Sequence, residues 1–146
     1  MAGQKSPIVT LTPAPTLDRT YFVKNLVEGG VNRAERVGEE LAGKGINVSR
    51  GLHLAGIPAP GIVPIGNADP GVLERTGSGF LTPLWIEGTL RVSTTVVEYD
   101  GPTTKINEPG PVLTAEHQRL LAAPVRRLSR SVAFTPSPFV PTALQS

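Results

Sequence analysis

The chain has 146 residues, a formal net charge of +2, a hydrophobic share of 39% and no cysteine. This length allows one domain with a hydrophobic core, and the lack of cysteine excludes disulfides, thiolate catalysis and cysteine-bound zinc. Basic residues are scattered and aromatic residues are few, so we expect no nucleic-acid partner. No apolar run reaches membrane-spanning length, so we expect no membrane partner. The composition fits a cytoplasmic protein, and its 16 glycines and 15 prolines predict short elements joined by many turns.

The first predicted strand covers residues 8–11 and ends at the prolines that follow, because proline lacks an N–H donor and fixes φ. Asp18 comes directly after this strand, and ligand groups in open α/β sheets gather at strand ends. We therefore predict that Asp18 holds substrate hydroxyls, with a turn or capping aspartate as the alternative. Residues 21–23 predict a second strand. The alternation over residues 31–37 predicts a further, exposed strand, and the two strands would form a small flap.

A loop of small residues at 42–47 runs into a predicted helix. Gly43 and Gly45 have no Cβ, so the loop can adopt positive φ and let a ligand approach its backbone. The helix N-terminus and the Lys44 ammonium favour an anion, most simply a phosphate, and Asn47 can bind hydroxyls beside it. The plainer alternative is a glycine-containing helix start with a solvated lysine, because short motifs often match by chance.

The rest of the chain alternates between predicted strands and helices. After the helix that ends near Ala55, we predict strands at 62–65, 84–86, 91–98 and 103–107, helices from Asp69 to about Arg75 and from Thr114 to about Leu128, and a last strand at 131–134. Pro64 would need a sheet edge or a bend. The alternation predicts an α/β fold with a mainly parallel sheet, helices on its faces and a small β lid.

Three stretches in register carry a resemblance to a known family. They are Thr10–Asp18, Gly43–Arg50, and Arg91–Thr95 together with Ile106–Pro111. Over about residues 8–123 they resemble the N-terminal part of the ribokinase-like sugar kinase family, in its 1-phosphofructokinase and tagatose-6-phosphate kinase branch. Ala14 and Ala42 depart from the asparagine and the glycine that are usual there. The resemblance implies that residues 1–146 are the N-terminal part of one sugar-kinase domain, with lid strands at about 20–40 and 90–107.

The resemblance also implies an activity, the transfer of a phosphoryl group from ATP, with Mg²⁺, to the 6-hydroxyl of fructose 1-phosphate. Asp18 would bind sugar hydroxyls, and Gly43 and Asn47 would contact the sugar. Lys44 and Arg91 would face its phosphate, and the planar fork of arginine suits that role. A surface charge on an edge strand is the alternative for Arg91, and the register with the family favours the phosphate. The lid would also form a homodimer surface.

The family's Gly-Ala-Gly-Asp loop, whose aspartate is the catalytic base, is absent from this sequence. The resemblance therefore implies no catalytic residue, no metal ligand and no ATP site in this chain. Residues 124–146 also form an atypical tail, which lacks the family's Gly-Ser-Leu-Pro-Pro-Gly loop. We expect a chain truncated or frameshifted at its C-terminal side, which carries a sugar-phosphate half-site and is inactive alone. A non-catalytic sugar-phosphate-binding protein is the alternative, and tagatose-6-phosphate kinase specificity stays open.

Overall fold

The computed structural model describes residues 8–129, so the strand predicted at 131–134 and most of the tail lie outside the described residues. The strands are β1 Thr10–Leu11, β2 Thr16–Val23, β3 Arg36–Ala42, β4 Gly61–Gly66, β5 Leu81–Ile86, β6 Arg91–Glu98 and β7 Thr103–Asn107. The helices are α1 Lys44–Leu54, α2 Val72–Arg75 and α3 Ala115–Ser129. In this part of the chain no helix combines the length and the apolar character needed to cross a membrane.

A parallel sheet with the order β1-β4-β5 forms the base of the fold. Helix α1 packs on β1 and β4, and α3 packs on β4 and β5, so the predicted α/β arrangement is confirmed. The middle strand β4 is buried along its whole length. Pro64 lies within this strand at a position where its side toward β1 has no ladder partner, so the sheet edge that we expected for Pro64 is present locally. It is tolerated because β1 pairs with β4 only at Gly61 and Ile62, so Pro64 lies beyond that ladder.

A second sheet, which we call the lid sheet, has the order β3-β2-β6-β7. Strand β2 pairs with β3 in antiparallel fashion and with β6 in parallel fashion. The lid sheet spans 16–42 and 91–107, somewhat more than predicted. Asp18 therefore lies inside β2, and its predicted position in a connection after β1 is wrong. The physical reason is that the residues from Thr16 onward already pair with β3 on one side and with β6 on the other. The turn after β1 is therefore confined to residues 12–15.

The strand predicted at 31–37 is wrong over most of its length, because β3 begins only at Arg36. Residues 24–35 form a loop that the Asn32 side chain closes. Its Oδ1 accepts a hydrogen bond from the Val27 backbone N at 2.7 Å, and its Nδ2 donates to the Val27 carbonyl at 2.9 Å. A side chain that satisfies nearby backbone groups in this way competes with strand pairing. The alternation of residue types does not reveal that competition.

The hydrophobic core joins the two sheets. Its buried members are Leu17 and Leu41 of the lid sheet, Ile46 of α1, Val63 and Ile65 of β4, Val72 of α2, Leu81 of β5, and Leu90 before β6. Because side chains alternate along a strand, burial of Leu17 against this core turns Thr16 and Asp18 to the opposite face of the lid sheet. The core thereby decides which face of β2 is polar and open.

Four charged side chains tie the lid sheet to α2. Arg19 Nε donates to Glu39 Oε1 at 2.8 Å, and Arg75 Nε donates to Glu39 Oε2 at 2.6 Å. Arg75 also pairs with Asp69 at 2.6 Å. Hydrogen bonds from Arg75, followed by those from Arg19, hold the pKa of Glu39 below its ordinary value. Glu39 is thus the shared acceptor that connects β2 and β3 to the base of the fold.

We expect Glu39→Gln to lower the free energy of unfolding by about 1 kcal/mol at pH 7, because two arginines lose their shared carboxylate. Since folding lowers the pKa of Glu39, its stabilisation is present above the unfolded pKa and is lost as the pH falls through the folded pKa. The difference from the wild type should therefore shrink below about pH 4. Urea unfolding at several pH values measures it, with the exposed loop variant Glu28→Gln as control. A difference that stays constant down to about pH 3 would contradict this assignment.

Candidate functional site

A polar pocket of about 310 Å³ opens where the lid sheet meets the start of α1. Its lining residues are Ala14, Thr16, Asp18, Ala42, Gly43, Arg91, Ser93 and Asn107. The register of the paired strands explains why the polar lining residues lie close together. Asp18 lies opposite Ser93 in the β2–β6 ladder, and Ser93 lies opposite Asn107 in the β6–β7 ladder. Directly opposed residues share one face of a sheet, so three strands contribute polar groups to one pocket.

The structure brings together three of the five predicted site residues. Asp18, Gly43 and Arg91 line the pocket, whereas Lys44 and Asn47 are exposed on the first turn of α1 and are not among its lining residues. The Asn47 Oδ1 accepts a hydrogen bond from Arg50 Nη1 at 3.2 Å, so part of its bonding capacity is already used. The binding roles assigned to all five residues stay predictions.

Arg91 is the cation that lines the pocket. Its Nε lies 3.0 Å from Thr16 Oγ1, and its Nη2 donates to the same oxygen. Among the four salt bridges within residues 8–129, none involves Arg91. The guanidinium therefore keeps its full charge beside an open pocket, which is the arrangement that favours an anionic ligand.

Asp18 supplies the carboxylate of the pocket. Partial burial raises its pKa above the ordinary value, and the neighbouring charge of Glu40 acts in the same direction. Lys105 and Arg91 oppose this shift and favour the ionised form. A half-buried carboxylate with free lone pairs is a good acceptor for ligand hydroxyls, since hydrogen bonds to an ionised acceptor are stronger than neutral ones.

Ser93 and Asn107 form a hydrogen-bonded pair in the pocket wall. Ser93 Oγ donates to Asn107 Oδ1 at 2.8 Å, so the Asn107 amide nitrogen keeps its donors for another partner. The sequence pattern predicts neither residue as part of a site, and it does not predict Thr16 either. A period-2 reading shows that residues 91, 93 and 95 share a face. Only the pairing register shows that Asp18 and Asn107 lie on the same face.

Close packing explains why positions 43 and 45 are glycines, and the sequence alone does not reveal this packing. Gly43 has φ +155°, and a Cβ there would lie 2.4 Å from Thr12 Cγ2. A Cβ on Gly45 would lie 2.6 Å from Thr12 Oγ1 and 2.9 Å from the Leu11 carbonyl oxygen. Both glycines therefore allow α1 to approach the end of β1 closely. Close packing accounts for Gly45 without any ligand, whereas Gly43 also lines the pocket.

Thr12 caps α1 from outside the helix. The N-cap residue Gly43 has no side chain for this purpose, and Thr12 Oγ1 accepts a hydrogen bond from the Ile46 backbone N at 3.0 Å. Thr12 is buried, so this contact satisfies an N–H group that would otherwise be shut away from water. The cap also holds the start of α1 against β1, which places Gly43 at the pocket.

We expect Gly45→Ala to lower the free energy of unfolding by about 1–3 kcal/mol, because its Cβ would displace Thr12 and the end of β1. Gly51→Ala is the matched control on the same helix, since a Cβ there meets nothing within 4 Å. It should raise stability by about 0.5–1 kcal/mol through helix propensity. Thermal and urea unfolding measure both variants. Equal effects of the two substitutions would show that the close contact with β1 does not constrain Gly45.

Several known proteins are similar to this chain in sequence and fold, although no protein-family model matches it. A curated 1-phosphofructokinase from Xanthomonas campestris pv. campestris is 33% identical over 138 residues, which cover 88% of this chain and 43% of that protein. Phosphofructokinase-2 from Escherichia coli, solved in complex with fructose-6-phosphate, is 28% identical with a TM-score of 0.72. That match covers 84% of this chain and 42% of the other. The chain matches the N-terminal part of a ribokinase-like sugar kinase.

This finding confirms the resemblance inferred from the three sequence stretches. A ribokinase-type protein from Agrobacterium tumefaciens, at 18% identity and a TM-score of 0.58, shares the fold alone and covers 87% of this chain and 50% of its own. The E. coli enzyme is also known in a tetrameric inhibited form. This chain spans no more than half the length of these relatives.

Proposed function

We propose that this chain supplies the acceptor-sugar site of a 1-phosphofructokinase and binds fructose 1-phosphate in the lid-sheet pocket. The observation that carries the proposal is the meeting of Arg91 and Asp18 on one face of β2 and β6, beside the backbone of Gly43. A cation for a phosphate and a carboxylate for hydroxyls are the two groups that a phosphorylated sugar requires. The pocket volume of about 310 Å³ is within the range of small-molecule sites.

In this proposal Arg91 binds the phosphate through its planar fork, and Asp18 accepts hydrogen bonds from sugar hydroxyls. The Asn107 amide, whose oxygen is held by Ser93, is a further donor for the sugar. Lys44 and Asn47 contribute from the start of α1, where the helix dipole adds partial positive charge. The relative named 1-phosphofructokinase supports the choice of acceptor, and the fructose-6-phosphate complex of the E. coli enzyme supports a sugar phosphate as the ligand class.

The complete reaction would transfer a phosphoryl group from ATP, with Mg²⁺, to the 6-hydroxyl and yield fructose 1,6-bisphosphate. Within residues 8–129 no cluster of three or more His, Asp or Glu side chains could hold a metal ion. We therefore assign none of residues 8–129 to Mg²⁺. The cytoplasmic location expected from the sequence stays a prediction.

A non-catalytic sugar-phosphate-binding protein is the second candidate. It is favoured by the combination of an acceptor pocket with a sequence that lacks any Gly-x-Gly-Asp motif. Specificity for tagatose 6-phosphate also stays open, because the two sugars differ in the orientation of one hydroxyl and the two substrates in the carbon that carries the phosphate. Titration with both sugar phosphates would separate these specificities.

We expect Arg91→Ala to weaken binding of fructose 1-phosphate by about 1.5–3 kcal/mol, because a charge-assisted phosphate contact is lost. Binding of unphosphorylated fructose should change little. Isothermal titration calorimetry on the purified chain measures both affinities, and Arg33→Ala in the exposed 24–35 loop is the control. An unchanged affinity for fructose 1-phosphate in Arg91→Ala would remove Arg91 from the site.

We expect the 146-residue chain by itself to show no kinase activity. Positioning and electrostatic stabilisation supply most of the catalysis in phosphoryl transfer, and both require the donor phosphates to lie in line with the acceptor hydroxyl. A coupled assay for ADP release with fructose 1-phosphate, ATP and Mg²⁺ tests this. Turnover above background that Asp18→Ala abolishes would show that the chain holds its own catalytic base.

We also expect homodimerisation through the lid sheet. Its edge strands β3 and β7 carry the exposed apolar side chains Val37 and Ile106, which are 51% and 60% exposed. Exposed strand edges of this kind invite pairing with another chain. The tetrameric form of the E. coli enzyme shows that a similar protein self-associates. Sedimentation velocity should show a dimer that Ile106→Lys disrupts, and a monomeric wild type at high concentration would count against the prediction.

A further inference from the structure

We infer that Thr16 is a positioning residue that directs the Arg91 guanidinium into the lid-sheet pocket. The two residues are 75 positions apart in sequence and are direct partners in the parallel β2–β6 ladder. Arg91 Nε lies 3.0 Å from Thr16 Oγ1, and Arg91 Nη2 donates to the same oxygen. The inference deepens the proposed function and rests on it, in that Arg91 is the residue proposed to bind the phosphate.

The geometry leaves one end of the guanidinium free. Arginine has five N–H donors in a rigid fork, and the Thr16 hydroxyl takes two of them along the edge that contains Nε. Both N–H groups of Nη1 and the second N–H of Nη2 remain, and the parallel pair made by one N–H of each nitrogen matches two oxygens of a phosphate. Thr16 therefore fixes the Nε edge of the guanidinium and leaves the remaining donors for a ligand in the pocket that both residues line.

Thr16 is itself a rigid support. It is only 7% exposed, and it is paired with Ala42 of β3 on one side and with Arg91 of β6 on the other. Threonine is β-branched, so few χ1 rotamers are available to it, and both ladders fix its backbone. An acceptor that cannot move limits the rotamers of the long arginine side chain. Less side-chain entropy is then lost when the phosphate binds.

The neutral charge of the acceptor matters as much as its position. A carboxylate at position 16 would orient Arg91 equally well, but it would neutralise the guanidinium and compete with the phosphate. Residues 8–129 contain no salt bridge to Arg91 within 4.0 Å. A hydroxyl therefore orients the cation while its charge remains available to an anion. Preference for a phosphorylated over an unphosphorylated sugar should then depend on Thr16 through Arg91.

A double-mutant cycle separates positioning from a general structural role. Thr16→Val removes the hydroxyl at nearly constant volume, Thr16→Ser keeps it, and Thr20→Val is the control on the same face of β2. Each is titrated with fructose 1-phosphate and with fructose, in the wild-type and Arg91→Ala backgrounds. We expect Thr16→Val to weaken fructose 1-phosphate binding about tenfold in the wild-type background and not at all beside Arg91→Ala. Thr16→Ser should restore binding.

Two results of the cycle would overturn the inference while the proposed function stands. They are an unchanged affinity in Thr16→Val, and an equal loss in both Arg91 backgrounds. If the wild type binds no fructose 1-phosphate, the proposed function fails, and NMR of the arginine Nε–H groups decides the inference. We expect the Arg91 Nε–H of the wild-type chain to exchange with water at least tenfold more slowly than that of the exposed Arg33. Equal exchange rates would overturn the inference even if Thr16→Val does not fold.

Discussion

The parallel ladder between β2 and β6 is the interaction on which the site depends. It joins Thr16–Val23 to Arg91–Glu98 along their whole length and brings Asp18 beside Ser93. Neither strand alone carries both charges of the pocket. Since side chains alternate, one face of the ladder buries Leu17 against the core and the other presents Thr16 and Asp18. The burial that stabilises the lid sheet therefore also selects the residues that face the pocket.

Attachment of the lid sheet to the base of the fold is electrostatic as well as hydrophobic. Glu39 connects β2 and β3 to α2 through Arg19 and Arg75, on the face opposite the pocket. On the pocket side, Arg91 has a neutral hydroxyl as its partner instead of a carboxylate. Paired charges thus attach the lid sheet to α2, whereas the pocket contains an arginine that forms no salt bridge within residues 8–129.

Much of the fold follows from residue pattern. The apolar run of β4 and the hairpin of β6 and β7 are local features, and the structure confirms them. The position of Asp18 is different, because the two partners that place it in a strand lie far away in sequence. The loop at 24–35 shows a second limit, since three hydrogen bonds of Asn32 override an alternating pattern. Local sequence does not encode either effect.

The candidate site follows from sequence to a similar extent. Asp18, Gly43 and Arg91 are identified through the family resemblance, and the pocket brings them together. Thr16, Ser93 and Asn107 could not be predicted, because their contacts follow from strand register and not from residue type. Gly45 illustrates the opposite limit. The sequence around it suggests a ligand, yet the clash that a Cβ at position 45 would make with Thr12 and Leu11 already explains its lack of a side chain.

The 75-residue separation of Thr16 and Arg91 also has a consequence for biosynthesis. Contacts between distant residues form slowly, because the chain must close a long loop first. During translation at about 5–20 residues per second, β2 leaves the ribosome roughly 4–15 seconds before β6. During that time the edge of β2 that later pairs with β6 has no partner strand, and the backbone N–H and C=O groups along it are exposed. Nascent chains are therefore most vulnerable to misassembly and to chaperone capture in this interval.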